Sequence, residues 1–327
     1  MRGVIRFVTR LLAGVVLALL AYIAVGGAMS AVFGTPKPRG QFHDIGGGRR
    51  LHMVCAGPAA GGSPTVLLEA GAFGFSADWG AVQEQLAARG VRSCAYDRAG
   101  LGFSDPGPKP RDGLAIVGDL EALLAASGEK GPFILVGHSM AGLHLRLFAA
   151  RNPRKVAGLV LVDATAPEDM DHPIVARFVS TFAGLSHLAS MGASAGLFKP
   201  LINTSFGDKI GLTGPPEEEK RWAFASGRHN RWAAEEVEHW PEDARQARAA
   251  GGLDPAWPVA VVLADGRRGA LAAIREAPAR ESRHGFVEHV KGSDHASLLG
   301  AAHAEAIVRG VLHVRSALTG PAPETRS

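Results

Sequence analysis

The chain of 327 residues contains no long run of lysines and arginines and no alternation of basic and aromatic residues, the patterns that track a phosphate backbone. Its formal net charge of +4 is modest and comes partly from Arg2, Arg6 and Arg10 at the start of the chain. Nucleic acid is therefore not an expected partner. The 13 histidines show no His-Glu-x-x-His or similar spacing, and two cysteines alone do not make a structural zinc site. No metal is expected on those grounds. Glycine loops of the Walker or dinucleotide type are missing as well, so no cofactor is expected, and no internal repeat is visible.

Charge is missing altogether from Leu11 to Phe33, an apolar stretch that follows the three arginines. About 20 apolar residues suffice to cross the hydrocarbon core as a helix, and this run exceeds the usual apolar region of a signal peptide. Residues 1–34 are thus expected to be a cytoplasmic start and a transmembrane anchor. Arginines on the N-terminal side keep that end cytoplasmic. The rest of the chain would lie on the non-cytoplasmic side, joined through the Pro-rich link Thr35 to Gly40. A cleaved signal is the alternative, because Ala28-Met29-Ser30 offers small residues at suitable spacing; the protein would then be secreted or periplasmic. From Thr319 a short polar tail is expected to be disordered.

What is present is strand, glycine-rich turn and helix in repetition. Pro132 to Val136 is a short buried strand. It runs into Gly137-His138-Ser139-Met140-Ala141-Gly142, and a helix from Leu143 to Ala150 follows. Small residues there let the backbone turn sharply and hold a serine at the apex with its hydroxyl exposed, aimed at by the new helix's N-terminus. The stretch departs from Gly-x-Ser-x-Gly, since Ala141 takes the last small position. A strand-to-helix loop without chemistry would read the same in isolation. Upstream lie Pro64 to Leu68, then Glu69-Ala70-Gly71-Ala72-Phe73-Gly74 and Trp79. Val91 to Ala95 leads into Tyr96-Asp97-Arg98-Ala99-Gly100-Leu101-Gly102-Phe103-Ser104-Asp105. Gly285 to Val290 ends in Lys291-Gly292-Ser293-Asp294-His295. This order implies an α/β fold with a doubly wound, mostly parallel sheet.

Over roughly residues 40 to 318 the ensemble resembles the α/β-hydrolase superfamily, among its serine-nucleophile members, with Glu-Ala-Gly where many carry His-Gly. The resemblance implies that Ser139 is the nucleophile and His295, just past the last strand, its base. His138, His144, His284, His289, His172, His187, His229 and His239 compete for that role and are expected on the surface or in packing. The acid holding the imidazole is less determined. Asp163 ends Val156 to Val162, and Asp265 follows Pro258 to Ala264. Most relatives place the acid two residues beyond Asp265, where this chain has Arg267. Asp163 matches a subset that uses the earlier strand and is favoured, although an Asp at a strand end is often a cap. The oxyanion hole would come from the amides of Ala72 and Met140. Phe73, Phe75 and Trp79 either line an acyl pocket or pack the core, and Asp97 and Arg98 pin the turn beneath the site.

The core is expected in two parts, 35–163 and 258–318, with a helical lid at 164–257. In the lid, Val175 to Ser190, Pro216 to Ser226 and Trp232 to Ala250 read as helices. Phe178, Phe182, Leu185, Leu188, Met191, Leu197 and Phe198 either face substrate or pack on the sheet. The superfamily's strand order makes the strands of Cys55 and Cys94 neighbours, and both a disulfide and two buried thiols are open. The expected activity is cleavage of a carboxylic ester, thioester or amide through an acyl-enzyme, on a small hydrophobic substrate. A serine at the elbow speaks against dehalogenase and epoxide-hydrolase chemistry, which in this fold use aspartate. Aminopeptidase, C–C hydrolase and cofactor-free haloperoxidase activity remain alternatives, as does a non-catalytic membrane-tethered binding module.

Overall fold

Aliphatic runs too short and too β-branched for helices become the strands, and the glycine-rich turns between them feed the helices. The structure, a computed structural model, describes residues 1–32, 34–59 and 61–319. In chain order it contains α1 (Arg2–Val32), β1 (Gln41–Asp44), β2 (Arg50–Ala56), β3 (Thr65–Glu69), α2 (Gly80–Ala88) and β4 (Ser93–Tyr96). Then come α3 (Gly113–Ser127), β5 (Phe133–His138), α4 (Ala141–Arg151), β6 (Val156–Val162), α5 (Pro173–Ser194) and α6 (Pro215–Phe224). The last elements are α7 (Gly227–Glu238), α8 (Trp240–Ala249), β7 (Val259–Ala264), α9 (Gly269–Glu281), β8 (Gly285–Val290) and α10 (Ala304–Thr319).

Eight strands form one sheet in the order β1-β2-β4-β3-β5-β6-β7-β8. The pairs β1–β2 and β2–β4 are antiparallel, and the others are parallel. β3, β5, β6 and β7 are buried at every position, as parallel strands covered on both faces must be. Alternate residues of β5 serve two cores. Phe133 and Leu135 pack with Leu120, Leu143 and Phe148, whereas Ile134 and Val136 pack with Trp79, Leu86, Ile307 and Val311. Helices α3 and α4 thus cover one face, and α2 and α10 the other. The expected doubly wound sheet is present.

Between β6 and β7 the chain forms helices and no strand. α5 is longer than expected and starts at Pro173, whose fixed φ suits a first helical turn. α6 covers Pro215–Phe224 in place of Pro216 to Ser226. The single helix expected from Trp232 to Ala250 is two helices, broken at His239. Pro241 in the first turn of α8 has no N–H to extend the α7 ladder. Thr319, expected to begin a disordered tail, is the last residue of α10, and the remainder of that tail, 320–327, lies outside the described residues. Phe33, the end of the expected apolar segment, lies outside them too. α1 begins earlier than the apolar run and includes its three arginines. By length and composition it can cross a membrane, as can α5. Register settles the cysteines: Cys55 on β2 pairs directly with Cys94 on β4, and they form a disulfide with Cα atoms 4.1 Å apart.

Candidate active site

Ser139 occupies the apex between β5 and α4 in the left-handed region, with φ +57°. Its amide donates to the Val162 carbonyl at 3.1 Å, and its carbonyl accepts from Gly142 and Thr165 at 3.0 and 2.8 Å. The apex is therefore tied to the end of β6. Its Oγ has no hydrogen-bond partner among the described residues. Close approach in this turn falls on Gly142. A Cβ there would stand 2.7 Å from the Thr165 carbonyl oxygen and 2.8 Å from Ala164 Cβ. Ala141 can replace the motif's last glycine because the residue behind it supplies the space.

Asp163 follows β6 with φ +39° and is 1% exposed. His295 follows β8 and reaches across the strand ends, its Nδ1 donating to Asp163 Oδ2 at 2.6 Å. Arg267 donates to the same carboxylate from Nε at 3.0 Å and Nη2 at 2.6 Å, and Arg275 from Nη1 at 3.1 Å. Burial alone would raise the Asp163 carboxyl, but hydrogen bonds from His295 and Arg267 outweigh it and hold the group well below the usual carboxylate range. Asp265 is elsewhere. It is exposed and accepts the Gly292 amide at 2.8 Å in the turn after β8. Arg267, two residues beyond Asp265, turns its charge onto Asp163.

Of the competing histidines, His138 and His229 lie near Ser139 but pair with other groups. His138 stacks on His295 with ring centroids 4.4 Å apart and donates from Nε2 to the His295 carbonyl at 2.9 Å. Burial and the neighbouring His295 push it down to about 3, so it stays neutral. His144 lies beneath the elbow helix between Glu69 and Asp243. His229 accepts from the Gly102 amide at Nδ1 and faces the Phe73 carbonyl with Nε2. His187 and His289 meet Glu238 and Glu276. His239 donates to the Glu235 carbonyl, His284 offers its carbonyl to Val259 and His313, and His172 precedes α5.

Gly71 lies against the serine. A Cβ on it would be 2.7 Å from Ser139 Cβ. The amides of Ala72 and Met140 donate to no group among the described residues. Arg98 fixes the first of them. Its Nη2 donates to the Gly71 carbonyl at 2.8 Å, and Nη1 bonds the Ala70 carbonyl. In a trans peptide the C=O and N–H point oppositely, so holding the Gly71 oxygen turns the Ala72 amide away from Arg98. Glu236 on α7 in turn holds Arg98 at 2.8 Å. Asp97 accepts from His52 and from the amides of Ser76 and Phe103, which pins the adjoining turn.

A cavity of about 500 Å³ contains Ser139, His295, Gly71 and Ala72. Phe73, Phe178, Phe182, Phe198, Phe224 and Trp240 are among its lining residues, with Lys220 bonded to Asp78 at 2.8 Å as a polar patch. Of the aromatics expected either here or in the core, Phe73 lines the cavity, while Phe75 and Trp79 are core residues at 0% exposure. An unpaired hydroxyl, an imidazole held by a carboxylate and the unspent Ala72 amide in one apolar cavity, with the Met140 amide next to the serine in the chain, can support acyl transfer. Sequence reasoning did not find Arg275, Glu236, Asp243 or Lys220. Each is a charged residue on a helix beside other charges, with no motif to distinguish it from a solvated face.

The family model for the alpha/beta hydrolase fold matches residues 64–302. The chain is 37% identical over 129 residues to the probable transporter efuK of Hormonema carpetanum, which covers 38% of this chain and 18% of that protein. It is 34% identical over 134 residues to an AB hydrolase superfamily protein of Gibberella zeae, covering 39% of this chain and 41% of that one. The chain thus spans less than half the length of these curated relatives. Among solved structures, haloalkane dehalogenase DbeA from Bradyrhizobium elkani matches with a TM-score of 0.63 at 20% identity, covering 85% of this chain and 98% of its own. That likeness is one of fold. With its sheet, its elbow turn and a family match over most of its length, this chain belongs to the alpha/beta hydrolase fold family.

Proposed function

We propose that the protein is a serine hydrolase that cleaves carboxylic esters through an acyl-enzyme, with Ser139 as nucleophile, His295 as general base and Asp163 as the acid that orients it. The observation that carries this reading is the unpaired Ser139 hydroxyl sharing one cavity with an imidazole bonded to a buried carboxylate. Serine at the apex suits acyl transfer, whereas alkyl transfer in this fold uses aspartate. In the first half-reaction His295 Nε2 takes the Ser139 proton as Oγ attacks the ester carbonyl carbon. The carbonyl oxygen becomes an oxyanion that accepts from the Ala72 and Met140 amides, with the N-terminus of α4 behind it. His295 then returns the proton to the departing alkoxide. Water, deprotonated by His295, attacks the acyl carbon, and His295 returns that proton to Ser139 Oγ as the ester bond to the enzyme breaks and the acid leaves. The apolar wall favours a hydrophobic acyl group, and helices in 164–257 act as its lid.

In this reading α1 anchors the protein in a membrane with the catalytic part on the non-cytoplasmic side, and the disulfide accords with an oxidising compartment. The test is fluorophosphonate labelling of the full chain in detergent, alongside turnover of esters of graded acyl length. Wild type should label and hydrolyse, and Ser139→Ala should do neither while keeping its circular dichroism and melting temperature. Full activity in that variant would refute the assignment.

A further inference from the structure

α5 has two unlike faces. Val179, Ser186, Ser190 and Ala193 are buried against the body. Ile174, Phe178, Leu185, Leu188 and Met191 are exposed, none by less than 57%. Steps of four, seven and three residues keep the first four on one stripe of the helix. The helix holds no acidic residue and a single arginine, Arg177. An outer face of this kind is the inverse of an ordinary surface helix, and contiguous exposed apolar area marks contact with a protein or a membrane.

Two further observations identify the occupant. Near the end of the span Arg2–Met29, Gly26 of α1 is buried against the chain just beyond α5. A Cβ on Gly26 would stand 2.4 Å from the Gly196 carbonyl oxygen and 3.5 Å from Lys199 Cβ. Lys199, Arg221 and Trp222 line one groove with Met29 and Pro36, and these are residue types that populate the membrane–water boundary. A bilayer crossed by α1 therefore has its surface beside the C-terminal end of α5. In addition, Phe178 and Phe206 are exposed by 57% and 58% and also line the Ser139 cavity. The apolar face and the mouth of the cavity are continuous.

We propose that the outer face of α5, together with Phe206, rests in the surface layer of the bilayer that α1 crosses, and that the cavity takes a membrane-resident, long-chain carboxylic ester directly from it. The substrate half of this proposal rests on the serine-hydrolase reading, whereas the docking half does not. Ile174, Leu185, Leu188 and Met191 lie at the boundary of headgroups and acyl chains, the depth that suits an amphipathic helix. An acyl chain passing Phe178 and Phe206 reaches Ser139 without crossing water.

The test uses the full chain in phosphatidylcholine vesicles. A nitroxide on Leu188→Cys should collide with oxygen and be shielded from a water-soluble nickel complex, as should a control label on Leu17→Cys. Access of nickel to the Leu188 label overturns the docking, and shielding from both reagents overturns it in favour of a protein partner or a second copy. In the second arm Leu185→Glu with Leu188→Glu, neither lining the cavity, should hydrolyse a soluble acetate ester within twofold of wild type. The same variant should lose at least tenfold on a fluorogenic oleate ester dissolved in the vesicles. Equal rates on the oleate ester overturn the proposed route. Wild type cleaving neither ester overturns the hydrolase reading and the substrate half together, and the nitroxide arm still decides the docking.

Discussion

Asp163 receives hydrogen bonds from His295, Arg267 and Arg275, and Arg275 is shared with Asp169 at 3.0 Å. With its carboxyl held below the ordinary range, Asp163 remains an anion throughout the neutral region, and the stabilisation this gives is present above its unfolded pKa of about 3.9. It is lost only as pH falls through the lower folded value. Asp163→Asn should therefore reduce kcat on the order of 10⁴-fold by loss of imidazole orientation, whereas Asp265→Asn should leave it within about twofold. Steady-state kinetics on a single chromogenic ester separates them, and the opposite ranking would move the acid to Asp265. Both aspartates end buried strands, which is why the sequence leaves them nearly equivalent. Arg267 distinguishes them only once the fold brings it to Asp163.

At the scale of elements, His144 joins three of them. Its Nδ1 lies 2.6 Å from Glu69 at the end of β3, and its Nε2 lies 3.3 Å from Asp243 on α8, so α4 is held from both sides. Burial would lower this imidazole, but Glu69 and Asp243 outweigh that and raise it to about 9. Its contribution to stability is complete below the unfolded pKa of about 6.5 and is lost as pH rises through about 9. His144→Gln should destabilise the protein by about 3 kcal/mol at pH 7, because it removes the cation shared by two buried carboxylates and leaves Glu69, among the described residues, only the Arg98 cation at 3.9 Å. Melting curves should show the gap from wild type narrowing at pH 10, and a constant gap would contradict a charged His144. This tie also accounts for Glu69 in the Glu-Ala-Gly turn. It was not legible beforehand, since the partners lie 75 and 99 positions from His144. The strands were legible as short aliphatic runs, and the elbow as small residues around Ser139. The break at His239 was not, because helical spacing continues across it and only Pro241 marks the interruption. The exposed face of α5 was hidden for a related reason: apolar residues at helical spacing look the same whether they face a core or its outside.

For the molecule as a whole, the disulfide ties antiparallel β2 to the parallel part of the sheet at β4, closing a separation of 39 residues. Protein recovered from its native compartment should take up no alkylating reagent until it is reduced, and two equivalents afterwards. Cys55→Ser with Cys94→Ser should cost about 3 kcal/mol of stability; alkylation without reductant would contradict the bond. Neighbouring strands were readable from the sequence, but the register that sets Cys55 opposite Cys94 was not, since a slip of one residue would have faced them apart. The helices over the cavity differ in how they are fastened. α7 holds Arg98 through Glu236, the Gly102 amide through His229 and the Ser104 carbonyl through Arg228. α8 holds Gly113 through Asp243 and Leu114 through Gln246. Among the described residues, α5 makes side-chain hydrogen bonds only within itself and, through His187, to Glu238 at the end of α7. Inheritance acts unequally on such a design. On the serine-hydrolase reading, substitutions in α7 reach the turn that carries the Ala72 amide and are filtered by catalysis, while the cavity-facing side of α5, held by fewer polar ties, is the segment through which descendants of this chain can change what they digest.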